Sequence, residues 1–388
     1  VQTIVIKSNQ SMLESMPVRH RTISLLTAIG CCVLLIMLFS RSSFVRAQSV
    51  SGKASTVAGV TENRSFEIDS VAASQGNVQA QLRVAKVYNE GINRRRNFTE
   101  AFKWFEAAAK QGSAEATAWL GNCYLLGHGV PQDLDRAATL IRLSAENNDS
   151  VGLRLLGLMY QTGQGVSLDY GKALTLLSKA VELNDPESFD QLGILYLRGL
   201  GVKKNVIKAR ELFAQGAQLG DSWAQLNLGE LYESGKPTLN ISKGDTSPLP
   251  TSQSGNSSSQ RKPNYAMARK LYLRSAARGN RVAAFKLGEM YEMGHGTEQD
   301  YAKALGYYRQ SAAHLYAPAQ FALGRATELG LGTPVNLVYA YLWYSLASAQ
   351  GNSTASERLQ FVARKLNPPQ VEEAQGLLSQ LEEKLKNN

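Results

Sequence analysis

The chain has 388 residues, of which 44% are hydrophobic and 19% charged, and its formal net charge at pH 7 is +10. This composition allows a large buried core, but a single compact domain of this length would be unusually large, so we expect an extended array or several domains. A disulfide framework is excluded, because Cys31 and Cys32 lie in one apolar run and only Cys123 lies outside it.

The N-terminus contains an apolar segment with basic flanks. Residues 1–22 form a short N-terminal segment, and residues 23–40, "ISLLTAIGCCVLLIMLFS", carry no charge and have a length near the lower limit for crossing a bilayer. We expect either a transmembrane anchor or a cleaved signal peptide. Residues 41–75 are predicted to be a flexible linker. The remainder would then be anchored in the inner membrane and face the periplasm, or be periplasmic or secreted after cleavage.

From about residue 76 the sequence repeats with a fixed period. Tyrosine recurs every 36 residues, and after an insertion the next two slots hold Tyr291 and Thr327. A glycine follows three residues after each of these positions. The sequence therefore predicts seven repeats over 76–350, interrupted by a disordered insertion at 236–264 that is rich in Ser, Thr, Pro, Gly and Asn. The column comprises Tyr88, Tyr124, Tyr160, Tyr196 and Tyr232.

Each repeat has the pattern of a helical hairpin. In "AEATAWLGNCYLLG" the small and apolar residues follow a helical spacing, and Gly127 is placed to end the helix. An Asp or Asn precedes each second helix, where its side chain can cap the free backbone amides. Glycines in the middle of the first helices predict a close approach of the second helix. These are Gly121, Gly157, Gly193, Gly229, Gly288 and Gly324.

The motif "GHGVPQD" could suggest a small catalytic or metal-binding turn. It contains His128 and Asp133, and "GHG" recurs around His295. Sister repeats hold Gln or Leu in the histidine slot, and leucine can act neither as a base nor as a ligand. We therefore interpret the histidines as exposed loop residues and Asp133 as a helix cap.

The pattern "AxxxLGxxYxxGxGVxxDxxKAxxxxxKA", read from Gly152 to Ala180, resembles the Sel1-like repeat, a relative of the tetratricopeptide repeat. The resemblance implies an all-α fold, a right-handed superhelical solenoid of helix-turn-helix repeats with a concave groove. Residues 351–388 are similar to the C-terminal capping helices of such proteins, which cover the last apolar face.

The analogy with tetratricopeptide arrays also predicts which positions face the groove. These positions carry apolar residues in the middle repeats and glutamates in the repeats that follow. Four carboxylates on one surface repel one another, and a cationic partner segment would neutralise them. The alternative is that these glutamates are ordinary solvated helix residues; if they do bind a partner, the partner segment is apolar and then basic. The predicted partner-binding residues are Leu125, Leu158, Ile194, Leu197, Glu230, Glu233, Glu289 and Glu292.

No recurring catalytic set, metal-ligand cluster or phosphate loop is found, so we expect no enzyme, no cofactor and no small-molecule substrate. Nucleic acid is not expected either, because the basic runs lie in loops without interleaved aromatic residues. The favoured function is a non-enzymatic protein–protein interaction scaffold of the cell envelope. Its partners would be other envelope proteins or peptides, and the membrane through residues 23–40 if these are not cleaved. The alternative is a binder of cell-wall or exopolysaccharide polymer in envelope biogenesis or secretion.

Overall fold

The computed structural model describes residues 65–91, 95–235 and 262–386. These ranges contain 17 helices and no strand. The predicted N-terminal segment 1–22 and the apolar segment 23–40 lie outside them, as does the predicted insertion except for its last three residues. Within the described ranges no helix is both long and apolar enough to span a membrane.

The helices form seven hairpins between a leading helix, α1 over 65–74, and two closing helices. The first helices of the hairpins are α2 (Val78–Glu90), α4 (Ala114–Leu126), α6 (Ser150–Thr162), α8 (Pro186–Arg198), α10 (Ser222–Glu233), α12 (Arg281–Met293) and α14 (Ala317–Leu329). The second helices are α3 (Phe98–Lys110), α5 (Leu134–Glu146), α7 (Tyr170–Glu182), α9 (Val206–Leu219), α11 (Tyr265–Ala277), α13 (Tyr301–Ala313) and α15 (Leu337–Ala349). The closing helices are α16 (Ser353–Ala363) and α17 (Pro368–Lys386).

The helix ends follow the predicted caps. Gly127 has φ 71° and ends α4 in the left-handed region, which favours glycine. Asp133 caps α5 by accepting a hydrogen bond from the backbone N–H of Arg136. Equivalent caps begin all six of the remaining second helices. The acid of the "GHGVPQD" motif therefore has the structural role predicted for it. The capping residues of those helices are Asn97, Asp169, Asn205, Asn264, Asp300 and Asn336.

The glycines in the middle of the first helices allow the hairpins to close. A Cβ atom added to Gly193 would lie 2.5 Å from the ring of Phe213, and one added to Gly324 would lie 2.7 Å from the ring of Tyr344. Both distances are too short for carbon atoms, so a side chain at either glycine would push the second helix away. The predicted close approach is confirmed.

Contacts divide the chain into two compact units. The first contains α1 to α11 together with residues 295–297, and the second contains residues 284–294 and α13 to α17. Within the first unit each helix from α2 to α11 contacts the next in the chain, and the first helices α4, α6, α8 and α10 also contact one another in order. The all-α solenoid of helix-turn-helix repeats predicted from the sequence is confirmed.

Helices outside the repeats cover apolar surface in both units. Residues 65–74 fall in the predicted linker 41–75 but form α1, because Phe66 and Ala73 pack against apolar residues of the first hairpin. In the second unit Val362 and Ala374, from α16 and α17, are buried against Tyr344 of α15. Each contact removes apolar side chains from water at an end of the repeats.

Candidate partner-binding surfaces

A buried ion pair joins the first helices α6 and α8. Arg154 is 7% exposed, and its Nε lies 3.0 Å from Oδ2 of Asp185, while its Nη1 lies 2.6 Å from Oε2 of Glu187. The same Oδ2 accepts hydrogen bonds from the backbone N–H and the hydroxyl of Ser188, so Asp185 also caps α8. One carboxylate thus fixes both the start of α8 and its position beside α6.

A second buried contact continues this polar connection from α8 to α10. The amide Nδ2 of Asn227 donates to Oδ1 of Asp190 over 2.6 Å. Burial raises the pKa of Asp190 to about 7 and that of Asp221 to about 6. Asp221 is itself bound as the cap of α10, where it accepts from the backbone N–H of Ala224. These groups therefore hold the first helices together and present no open site.

The predicted apolar residues differ in how much surface they offer. Leu125 is 4% exposed and lies in the core with Ile141, so it gives a partner almost nothing to contact. Leu158, Ile194 and Leu197 are half-buried, on α6 and α8. The part of the predicted apolar surface that a partner can reach therefore lies on these two helices.

The predicted acidic residues of the first unit are Glu230 and Glu233. Glu230 is exposed, whereas Glu233 is half-buried and accepts a hydrogen bond of 2.7 Å from the hydroxyl of Tyr272. Because α11 supplies that hydroxyl, Glu233 contributes to the closure of its own hairpin.

The predicted acidic residues of the second unit are also engaged within the chain. Glu292 is 8% exposed, accepts a hydrogen bond of 2.5 Å from the Tyr308 hydroxyl and forms an ion pair with Arg325. Glu289 lies 3.0 Å from Nζ of Lys286. Internal partners thus neutralise much of the charge that we expected a cationic partner segment to neutralise.

This tyrosine–glutamate pairing was not predicted from the sequence, although its signal was present. Tyr272, Tyr308 and Tyr344 stand eight residues after the second-helix caps, where earlier repeats carry Phe, Ile or Leu. Only in these three repeats does a glutamate follow the tyrosine column. The third pair joins the Tyr344 hydroxyl to Glu328 over 2.8 Å. The two columns change together because a buried hydroxyl needs a hydrogen-bond acceptor.

Trp223 was also missed. It is 48% exposed at the start of α10, at the position where the two neighbouring upstream repeats carry Glu187 and Val151. An exposed tryptophan is informative because this residue is enriched among the side chains that dominate binding energy in protein interfaces. Comparing the repeats at this position would have identified it.

The two histidines of the "GHG" motifs have a structural role that the sequence did not show. The ring of His128 stacks on Phe98 at 3.8 Å between centroids, and that of His295 stacks on Tyr265 at 4.8 Å. Burial, followed by the charge of Arg96, lowers the pKa of His128. Among the described residues no group of three or more His, Cys, Asp or Glu side chains could hold a metal ion.

We expect His128→Ala to lower the free energy of unfolding by about 1 kcal/mol, because it removes the stacked pair with Phe98. The folded-state pKa of His128 lies below its unfolded value, so its contribution is present at high pH and is lost as the pH falls through that range. Urea unfolding at pH about 8 and about 5 measures both effects. Gln164→Ala, at the same slot of the third repeat, is the control, and an equal loss in both variants would contradict the stacking role.

Comparisons with known proteins agree with this architecture. The Sel1 repeat family model matches eight segments, of which the fifth and sixth are the two halves of the hairpin formed by α10 and α11. The segments are residues 78–113, 114–149, 150–185, 191–221, 224–244, 255–280, 281–314 and 317–352. No curated protein sequence matches the chain.

The chain is also similar to several solved structures. A Sel1 repeat protein from Oxalobacter formigenes is 28% identical with a TM-score of 0.54, over 72% of this chain and 99% of that one. A protective antigen of uropathogenic Escherichia coli with an SLR fold is 27% identical with a TM-score of 0.40, over 83% of this chain and 72% of that one. An immunity protein from Pseudomonas aeruginosa is 22% identical with a TM-score of 0.41, over 61% of this chain and 81% of that one.

Proposed function

Because the chain belongs to the Sel1 repeat family, we propose that it is a scaffold of the cell envelope that holds segments of partner proteins along its first helices. Sel1 repeat proteins are in general protein-interaction scaffolds, and their fold is typically non-catalytic. The envelope location and the binding surface are the specific parts of the proposal.

The observation that carries the binding surface is the apolar side chains exposed along α6, α8 and α10. These helices contact one another in order, and Leu158, Ile194 and Leu197 are half-buried on the first two. Trp223 extends the set to α10. Apolar and aromatic side chains of this kind give an interface its central anchors, whereas the internal polar contacts of Arg154 and Asp190 keep the helices in place.

The envelope part of the proposal rests on the uncharged segment 23–40, with basic residues on both sides. We propose that this segment places the repeats in the periplasm, either as an inner-membrane anchor or as a signal that is cleaved. Treating spheroplasts with protease, with a tag at the C-terminus, tests the location. Loss of the tag only after lysis of the spheroplasts would contradict it.

The scaffold function predicts a specific loss of binding. A partner is first identified by cross-linking the full chain in envelope extract, and its dissociation constant is then measured with purified proteins. Changing Leu158 and Trp223 together to alanine should weaken that complex at least about tenfold, because both side chains lie on the proposed surface.

Leu219→Ala is the matched control, because this leucine is as exposed as Trp223 but ends the second helix α9. An unchanged dissociation constant in the double variant, with helicity and unfolding midpoint preserved, would move the interface elsewhere. Retention of the wild type on purified peptidoglycan, equally strong in the double variant, would favour the polymer-binding alternative.

A further inference from the structure

A pocket of about 650 Å³ lies between the second helices α5 and α7, with the first helix α6 as its floor. Binding sites for small organic molecules commonly have volumes of about 300–1,000 Å³ and combine apolar walls with a few polar groups. The floor here is apolar, since Leu153 and Leu156 of α6 line it with 3% and 6% of their surface exposed, and the half-buried Leu176 of α7 adds apolar surface beside it. The pocket is separate from the apolar surface proposed above for partner segments, because none of the residues proposed there lines it.

The second repeat lacks a ring that covers the corresponding tyrosine in the first repeat. In the first repeat Phe102 of α3 contacts the ring of Tyr124 edge-on at 5.6 Å. The equivalent residues one repeat later are Ala138 and Tyr160, so a methyl group stands where the ring of Phe102 lies. Two repeats on, Arg210 occupies that position and lines a much smaller recess of about 160 Å³.

The rim of the pocket is basic. Arg142 from α5 and Lys179 from α7 are exposed, and neither forms an ion pair with any residue that the structure describes. Glu146 lies on the same rim and is likewise without an ion pair within the described ranges. A bound anion would gain from the two cations and would have to stay clear of this carboxylate.

The remaining charged pair of the lining is already satisfied. Asp169 accepts a hydrogen bond from the backbone N–H of Lys172, which lowers the pKa of Asp169, and its carboxylate lies 3.5 Å from Nζ of Lys172. The same ammonium lies 5.1 Å from the centroid of the Tyr160 ring. Of the lining charges, three are positive and two negative, and those without an ion pair in the described part of the chain are Arg142, Lys179 and Glu146.

We propose that this pocket binds a small amphipathic organic anion, with its apolar body on the leucine floor and its acidic group held by Arg142 and Lys179. The inference goes beyond the scaffold function and departs from our expectation that the chain has no small-molecule ligand. Apolar floor, aromatic wall and unpaired cations are together what such a ligand needs, since burial of its body and charge attraction act at the same place.

Isothermal titration calorimetry on the full chain tests the proposal with two probes, naphthalene-2-sulfonate and octanoate, which distinguish a flat aromatic body from a flexible aliphatic one. The neutral naphthalene-2-sulfonamide is the probe control. We expect at least one anion to bind at one site and the sulfonamide to bind at least about tenfold more weakly. Arg142→Glu with Lys179→Glu should weaken binding of that anion at least about tenfold.

Lys203→Glu with Lys204→Glu is the matched control, since both lysines are exposed in the loop before α9 and the change in net charge is the same. This control should bind the anion as the wild type does. Thr175→Trp, on the exposed face of α7 that lines the pocket, should abolish binding by filling it, with an unchanged unfolding midpoint. The proposal would be overturned if neither anion binds, or if the sulfonamide binds as tightly as the anion. It would also be overturned if the Lys203/Lys204 variant loses as much affinity for the anion as the Arg142/Lys179 variant.

Discussion

Replacing Arg154 with methionine is expected to lower the free energy of unfolding by about 3–5 kcal/mol, because it leaves a buried carboxylate without its cation. Asp185 is as buried as Arg154 and would keep only its bonds to Ser188. The charge of Arg154 also lowers the pKa of Asp221, so a second buried carboxyl would become harder to ionise. Urea unfolding followed by circular dichroism measures the loss.

Two further variants distinguish the effect of the buried charge on stability from the effect of lost packing. Arg83→Met removes an exposed ion pair with Asp69 and should cost less than about 1 kcal/mol. Asp185→Asn in the Arg154→Met background keeps a side chain that can cap α8 and should recover part of the loss. A double variant no more stable than Arg154→Met alone would show that the buried charge is not the cause.

The second large effect concerns pH. Burial is the main reason that the pKa of Asp190 rises from 3.8 to about 7, the hydrogen bond from Asn227 lowers it, and the charges of Asp221 and Glu187 raise it further. The folded chain therefore binds more protons than the unfolded chain between these values, so this residue makes stability fall as the pH rises from about 4 to about 7. The fall attributable to it is on the order of 4 kcal/mol.

Asp190→Asn removes that ionisation while leaving an oxygen to accept from Asn227. We expect it to be more stable than the wild type by on the order of 3 kcal/mol at high pH, and to differ little from it near pH of about 4. Urea unfolding across this range is the measurement. Asp135→Asn, which removes an exposed carboxylate in the first turn of α5, is the control. A wild-type curve that does not fall with pH would contradict the prediction.

The sequence predicted the repeat architecture well because its signals are local. A glycine such as Gly127 ends a helix, and an acid such as Asp133 begins one, through contacts within a few residues. The glycine at position 193 predicted close packing, and the ring that needs the space, Phe213, lies in the same repeat. Repetition at a fixed period then shows which of these signals are required by the fold.

The predicted surface was less accurate because burial depends on contacts between helices. Leu125 and Leu197 both follow the tyrosine column, yet Leu125 is buried beside Ile141 whereas Leu197 remains half-exposed. The glutamate at position 292 was read as a groove residue, but a tyrosine sixteen residues later and an arginine from α14 draw its carboxylate inward. The analogy with tetratricopeptide arrays therefore identified the correct helices but not the environment of each side chain.

The closing helix α16 does more than shield apolar surface, because it also fixes where the row of repeats can end. Its Arg358 forms an ion pair with Glu328, whose other partner is the hydroxyl of Tyr344. A hairpin inserted after residue 352 without an arginine at the matching position would separate these charges and leave a buried carboxylate with a neutral partner alone. A copy of the last repeat would supply that arginine itself, because its equivalent of Arg325 would stand to Glu328 as Arg325 stands to Glu292. The row can therefore be lengthened at this end by duplicating its own last repeat, but not by a hairpin that lacks this cation.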